Sequence, residues 1–359
     1  MSETNDKSGL LDRDSFRKGV FERDRHKCVI CGCRVHPLDA HHIIERRLWD
    51  DGGYYLDNGA TLCDDRYGPD GWVTGCHMKA EMTTLSCDDI RNAAGIKRVI
   101  IPDHLYDEYS YDKWTNILLP DGTRVKGELY NDESVQKALK AGGVLPLFRN
   151  YVKYPRTYHL PWSPGLTDDD RLLPSTDVFV GREVVVTEKM DGENTTMYRD
   201  YMHARSLEEE HHESRCWVKK IHGEICWDIP PSWRICGENV YALHSIPYDD
   251  LPSYFLVFSI WDQNNTCLSW DDTVTYAGVL GLDTVPVIWR GMWNEEKVRS
   301  LAPTDTNRHE GYTVRIADSF AYGSFRRSIA KWVRPHHVQT THGWKQRPVI
   351  KNGLKSRLR

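Results

Sequence analysis

The chain has 359 residues, with 47 Lys plus Arg against 52 Asp plus Glu for a net charge of −5, and it is 40% hydrophobic and 28% charged. At roughly 150 residues per domain this predicts two or three domains of ordinary globular composition and excludes a mostly disordered or collagen-like chain. The charge excludes wholesale electrostatic coating of nucleic acid but allows local basic patches, and the longest apolar runs, such as YFLVF at 254–258, fall far short of the ~20 residues of a membrane span.

The first residues, MSETNDKSGLLDRDSF, are polar and lack the apolar stretch of an export signal, so a cytoplasmic location without membrane partners is expected. The ten cysteines are then read as reduced thiols. Six of them, Cys28, Cys31, Cys33, Cys63, Cys76 and Cys87, fall in the first 90 residues, which predicts a small metal-stapled domain over 1–100. Residues 101–150 read as a bridge. It holds a hairpin at LLPDGTR (118–124) turning on Asp121-Gly122, and a helix in NDESVQKALKAGG (131–143) stopping at Gly142. Over 151–340, EVVVT (183–187), SYFLVFSIW (253–261), VPVIW (285–289) and GYTVRI (311–316) read as strands, and DDTVTYAGVLG after Ser269 reads as a capped helix. EEEHHE at 208–213 reads as a solvated loop, and 341–359 as a basic tail that suits a nucleic-acid backbone. The whole is an α+β chain with a largely antiparallel sheet in its second half.

Chemistry in the first half rests on an ordered set: Cys28-Val-Ile-Cys31, Asp39-Ala-His41-His42, Asn58 through Cys63, and Cys76-His77. A CxxC knuckle turns two thiolates toward one tetrahedral Zn²⁺, and Cys63 with Cys76 can close the remaining positions, leaving none for water. Adjacent imidazoles can divide labour, one holding a divalent cation and the other taking a proton from water. The set resembles the HNH endonuclease family over about residues 16–90. That resemblance implies a ββα-metal fold in which His42 is the general base, Asn58 orients it or helps the metal, and His41 and His77 are metal ligands. The family's second CxxC is opened here by twelve residues between Cys63 and Cys76, an extra loop closure of about 1–2 kcal/mol. The alternative is a zinc-stapled module that binds nucleic acid without cutting it. Cys33 and Cys87 read as plain buried cysteines.

The second half carries Glu188-Lys189-Met190-Asp191-Gly192-Glu193-Asn194 directly after VVVT. A lysine ending a buried strand is partly desolvated, which favours the neutral, nucleophilic amine, and Gly192 lets backbone approach a phosphate. Companions follow in order: His203-Ala-Arg205, Cys236-Gly-Glu238, Phe255 through Phe258, Glu310-Gly311 through Arg315, and Ile329-Ala-Lys331 through Arg334. Together they resemble the collinear motifs of the covalent nucleotidyltransferase superfamily of RNA ligases, DNA ligases and capping enzymes, over about residues 150–338. The resemblance implies that Lys189 attacks the α-phosphate of ATP, that Lys331 stabilises the charge developing there, and that Glu188, Asn194, Arg205, Glu238 and Phe258 bind the nucleotide, Phe258 by stacking on adenine. Glu310 would hold Mg²⁺ or Mn²⁺. The residue-level alternatives are that Phe258 is only core, Glu238 a turn residue and Glu310 an edge charge.

Asn194 stands where DNA ligases and capping enzymes generally carry Arg, so the resemblance points to RNA ligase. Twenty-eight residues follow Lys331, fewer than an OB-fold of about five strands needs, so no C-terminal OB-fold is expected. Ile329 replaces the first lysine of the family's last motif, with Arg327 or Arg334 as substitutes, and Arg156 and His159 in the lead-in KYPRTYHLP reach toward phosphates or merely shape a linker. The leading expectation is an ATP-dependent RNA ligase acting on RNA or a nicked RNA/DNA duplex and fused to an HNH domain. The alternative is a nick-sealing DNA repair ligase whose HNH-like domain only binds substrate.

Overall fold

A computed structural model describes residues 9–68, 71–167, 170–207, 212–335 and 348–355. The chain divides into two compact units, 1–150 and 151–359.

In the first unit α1 (Arg13–Arg23) starts behind Asp12, whose carboxylate accepts from the amides of Asp14 and Ser15 and so satisfies two of the free N–H groups of the first turn. It buries Phe16 and Val20 against antiparallel strands β1 (Leu38–His42) and β2 (Gly59–Cys63), paired from Leu38↔Cys63 to His42↔Gly59. A Cβ at Gly59 would come within 2.4 Å of Val20, so glycine is what lets α1 sit this close. The residues between Cys63 and Cys76 form a hairpin of β3 (Arg66–Gly68) and β4 (Gly71–Val73) before α2 (Cys76–Glu81) and α3 (Cys87–Ala94). A meander of β5 (Ser110–Tyr111), β6 (Ile117–Leu118) and β7 (Arg124–Val125) follows, its last turn at Asp121-Gly122 with Gly122 at φ +82°. α4 (Glu133–Ala141) begins after its Asp132 cap. Its stop is subtler than the sequence suggests: Gly142 keeps φ −75°, and Gly143 takes the left-handed backbone at +66°.

The second unit contains two sheets. Five strands run in the order β16 (Val287–Met292), β9 (Glu183–Glu188), β17 (Gly311–Ile316), β19 (Ile329–Val333), β8 (Tyr158–His159), antiparallel except that β8 joins β19 in parallel. The other sheet runs β11 (Met202–Ala204), β10 (Glu193–Met197), β12 (Arg234–Asn239), β13 (Phe255–Trp261), β14 (Thr266–Cys267), β18 (Phe320–Ala321), with β15 (Asp283–Thr284) parallel to β13. Helices α5 (Cys216–Ile225), α6 (Trp270–Val279, capped by Ser269) and α7 (Glu295–Ser300) complete the unit. Val184 and Val186 enter one core cluster with Tyr312, Val314 and Trp261, whereas Val185 enters another with Leu256 and Trp270. A strand buried on both faces reads as an unbroken apolar run, which is why VVV shows no alternation.

Two expectations shift. The strand expected at 285–289 begins at Val287, because Pro286 has no N–H to give a ladder and Val285 bonds instead to Val257 O. The tail expected to meet nucleic acid is, over 348–355, docked on the protein. Asn352 is buried, its Nδ2 donates to Val240 O at 2.9 Å, and Tyr254 Oη donates to Asn352 O at 2.8 Å; residues 341–347 and 356–359 lie outside the described residues, as do 208–211 of EEEHHE. Among the described residues no helix is long and apolar enough to cross a membrane.

Candidate active site

The turn from β9 into β10 carries Lys189 to Gly192 and is fixed from below. Asp191 Oδ2 accepts from Ser245 N at 2.6 Å, Ser245 Oγ at 2.7 Å and Ile246 N at 2.8 Å. A Cβ at Gly192 would fall 2.4 Å from Asn239 O. The glycine is therefore required by packing against the end of β12, and the phosphate approach expected of it gives way to this nearer cause.

Beside the turn lies a cavity of about 220 Å³ lined by Glu188, Lys189, Asn194, Arg205, Glu238, Phe258 and Lys331, together with Tyr154 and Arg156. These residues come from strand positions that register brings together: Asn194 pairs with Glu238 across β10 and β12, and Lys331 and Thr187 both pair with Thr313. Glu310, just before β17, reaches Lys189, whose Nζ donates to Oε2 at 2.5 Å. Asn194 Oδ1 is buried without a hydrogen-bond partner among the described residues, an acceptor that a ligand hydroxyl or amine would satisfy.

Electrostatics reverse one expectation. Burial does press the Lys189 amine toward neutrality, but the carboxylates of Glu310, Glu238 and Asp191 outweigh it and hold the ammonium above its ordinary pKa. Burial also pushes Glu238 up to about 8 and raises Glu310, each only partly offset by Lys189. Lys331 is lowered by burial and by the charge of Lys189, against Asp170 and Glu310. Arg205 is lowered by burial and by Arg156 beside it.

Neither proposed substitute for the missing motif lysine reaches the cavity lining. Arg334 donates to Thr306 O and Ser245 Oγ instead, and Ile329 itself forms part of the wall. The additional cations there are Arg156, Arg205 and Arg315, the last donating to Leu268 O. His159 lies fully buried behind the wall with Nε2 3.2 Å from Asp170 Oδ1. Glu188 is held by His309, Nδ1 to Oε1 at 2.8 Å. Asp170 and His309 were not singled out in the sequence: the first is one of three consecutive aspartates and the second has no motif around it.

In the first unit the sulfurs of Cys28, Cys31, Cys63 and Cys76 lie within 4.8 Å of one another, Cys31 and Cys63 at 3.6 Å. Tetrahedral ligands at a Zn–S distance of 2.3 Å stand about 3.8 Å apart, so the cluster suits a zinc ion. His41, His77 and Glu81 form a second group of potential ligands. Glu81 was missed, although its four-residue spacing from His77 on α2 places both on one helix face. Lys113 donates to Glu81 and lies 3.6 Å from Glu45. His42, next to His41 on a strand and so on its other face, stacks on Phe16 at 4.5 Å and meets Tyr54 edge-on; burial and the Lys113 charge bring it down to about 4. Asn58 is not brought to these histidines as a ligand. Its Oδ1 accepts from Ile44 N, and its Nδ2 donates to Ile44 O and Gly53 O, so the amide is consumed in bracing the loop between the strands.

Residues 182–333 match the RNA ligase family profile. Among curated protein sequences none matches the chain. Of solved structures, the apo form of a Naegleria gruberi RNA ligase mutant is 19% identical, covering 52% of this chain and 59% of that one at a TM-score of 0.34. An archaeal ATP-dependent RNA ligase is 17% identical over 51% and 48% of the two chains at 0.36, and a putative ATP-dependent DNA ligase from Aquifex aeolicus is 19% identical over 52% of each at 0.36. The chain thus spans about half to three fifths of the length of these structures.

Proposed function

We propose that the second unit, which contains the 182–333 stretch matching RNA ligase, is an ATP-dependent RNA ligase with Lys189 as its nucleophile. The observation that carries this reading is the gathering of Lys189, Asn194, Arg205, Glu238, Phe258 and Lys331 around one cavity, with Glu310 on Lys189. Lys189 Nζ, once deprotonated, attacks the α-phosphorus of ATP. The P–Nζ bond forms as the P–O bond to pyrophosphate breaks, leaving lysyl-AMP. The AMP then passes to a nucleic-acid 5′-phosphate, and a 3′-hydroxyl attacks that phosphate and releases AMP. Glu310, hydrogen-bonded to the ammonium, orients Nζ, and the proton leaves to solvent before the attack. Mg²⁺ or Mn²⁺ held by Glu310 would neutralise the triphosphate, Lys331 and Arg205 would face the α-phosphate charge, Phe258 would stack on adenine, and Asn194 Oδ1 and Glu188 would take polar groups of the nucleotide.

For the first unit the reading is a structural Zn²⁺ on Cys28, Cys31, Cys63 and Cys76, and an HNH-like site with His41 and His77 as metal ligands and His42 as base. A second version is favoured by Lys113 on Glu81 and by the bracing role of Asn58: the unit holds nucleic acid without cutting it, as in a nick-sealing DNA repair ligase. Reduced thiols at the cluster suit a cytoplasmic protein. Incubation with α-labelled ATP and Mg²⁺ should label the wild type and not Lys189→Ala; label surviving on Lys189→Ala overturns the reading. Sealing of nicked duplexes made with RNA or DNA strands then separates the two versions of the substrate.

A further inference from the structure

We propose that Asp170, braced by His159, is a positioning residue that fixes the Lys331 ammonium at the cavity wall; what that ammonium then does rests on the ligase reading above. Asp170 Oδ1 is 3.3 Å from Lys331 Nζ and 3.2 Å from His159 Nε2. Its other oxygen accepts from Thr167 N at 3.1 Å and Thr167 Oγ1 at 2.9 Å. His159 Nδ1 lies 2.8 Å from Ser163 Oγ, which in turn accepts from Val333 N at 2.9 Å. The Ser163 hydroxyl also donates to Val333 O at 3.4 Å, which ties the segment carrying His159 to β19.

The arrangement is a closed circuit around one lysine. β8 is short, yet it runs in parallel register with β19 so that His159 pairs with Lys331 itself, and Leu160 N donates to Lys331 O. Apart from the lysine, the Asp170 carboxylate is held by the amide and the hydroxyl of Thr167, so it cannot follow the lysine and the lysine is held by it. That matters because the cavity is crowded with positive charge. Lys331 faces Lys189 from the end of β9, Glu310 from before β17 and Asp170 from beyond β8, with Arg156, Arg205, Arg315, Glu188 and Glu238 on the same wall and His159 behind Asp170. Burial and Lys189 both press Lys331 to lose its proton, and Asp170 is its nearest counter-charge.

Formation of lysyl-AMP needs Lys189 neutral and Lys331 charged, and because the pKa of Lys331 lies below that of Lys189 the rate should rise with pH until Lys331 begins to lose its proton, then level off, and fall only once Lys189 has lost its own. In the full-length protein Asp170→Asn is expected to lower the maximal rate about tenfold and to bring the top of the rising limb down by about one pH unit, the size of a single close counter-charge. Lys331→Arg, which cannot deprotonate in this range, should go on rising until Lys189 titrates and lose the falling limb, and the double variant should follow Lys331→Arg with no further shift. NMR titration of lysine labelled at Nζ, with the Lys331 signal identified by its loss in Lys331→Arg, should show the same fall in Asp170→Asn without any turnover. An unlabelled wild type with the NMR shift present would defeat the ligase reading and leave the positioning intact. A labelled wild type with neither limb nor signal moved in Asp170→Asn overturns the positioning. Thr167→Val, which takes one hydroxyl donor from Asp170, should move both in the same direction by less; if Asp170→Asn does not fold, an unmoved Thr167→Val overturns the proposal.

Discussion

Both units bury a lysine against a glutamate, Lys113 on Glu81 in the first and Lys189 on Glu310 in the second, and their surroundings differ. The Lys113 side chain is 9% exposed, has a second carboxylate, Glu45, at 3.6 Å and lies 5.0 Å from the Trp114 ring centroid. The Lys189 side chain is 26% exposed and opens on a cavity whose wall holds Arg156, Arg205, Arg315 and Lys331. A shielded pair fixes a charge; a pair open to a ligand keeps the charge available for exchange. What tells the two ammonium groups apart is the space in front of them, because both lysines have a carboxylate within reach.

The largest effect that would test this contrast is on labelling by ATP. Lys189→Ala should lose it by about a thousandfold or more, whereas Lys113→Met should keep it within about twofold; equal losses from both would erase the distinction. Next comes metal. Elemental analysis should find one Zn²⁺ per chain, lost in Cys31→Ala together with several kcal/mol of stability in a thermal melt, since structural zinc binding in small domains is worth about 10–16 kcal/mol, while lysyl-AMP formation persists. Glu310→Gln removes the strongest influence raising Lys189. The lysine pKa should fall by about 1–3 units in an NMR titration of the Nζ-labelled side chain, even as the maximal rate drops with the loss of the metal ligand. The smallest change is at the closed pair. Lys113→Met frees Glu81, and Mn²⁺ titrated by calorimetry should bind His41, His77 and Glu81 about tenfold more tightly, about 1.4 kcal/mol; unchanged binding would mean that Lys113 does not compete for that carboxylate.

The residues around the cavity were legible because each belongs to a short motif in or beside an apolar run, as Lys189 does after VVVT and Lys331 does after Ile329-Ala. The protonation of Lys189 was not. Its sign depends on Glu238 and Glu310, which come from β12 and from the approach to β17, and only the tertiary register sets them against burial. Asp170 was hidden for another reason: nothing local distinguishes it from its neighbouring aspartates, and its partners lie on β8 and β19. Asn58 looked like chemistry because its type and spacing fit a motif, whereas its three hydrogen bonds belong to a loop that the sequence shows only as YYLDN. The hairpin at Asp121-Gly122 and the helix behind Ser269 were readable because turn and cap chemistry act within a few residues.

The segment at 348–355 reaches the turn that bears Lys189 through two residues. Asn352 Oδ1 accepts from Tyr248 N at 3.1 Å, Gly353 N donates to Tyr248 O at 2.7 Å, and Tyr248 Oη accepts from Asp191 N at 2.8 Å. A chain cut after Arg334 would thus keep every residue of the cavity wall and lose the brace behind its turn.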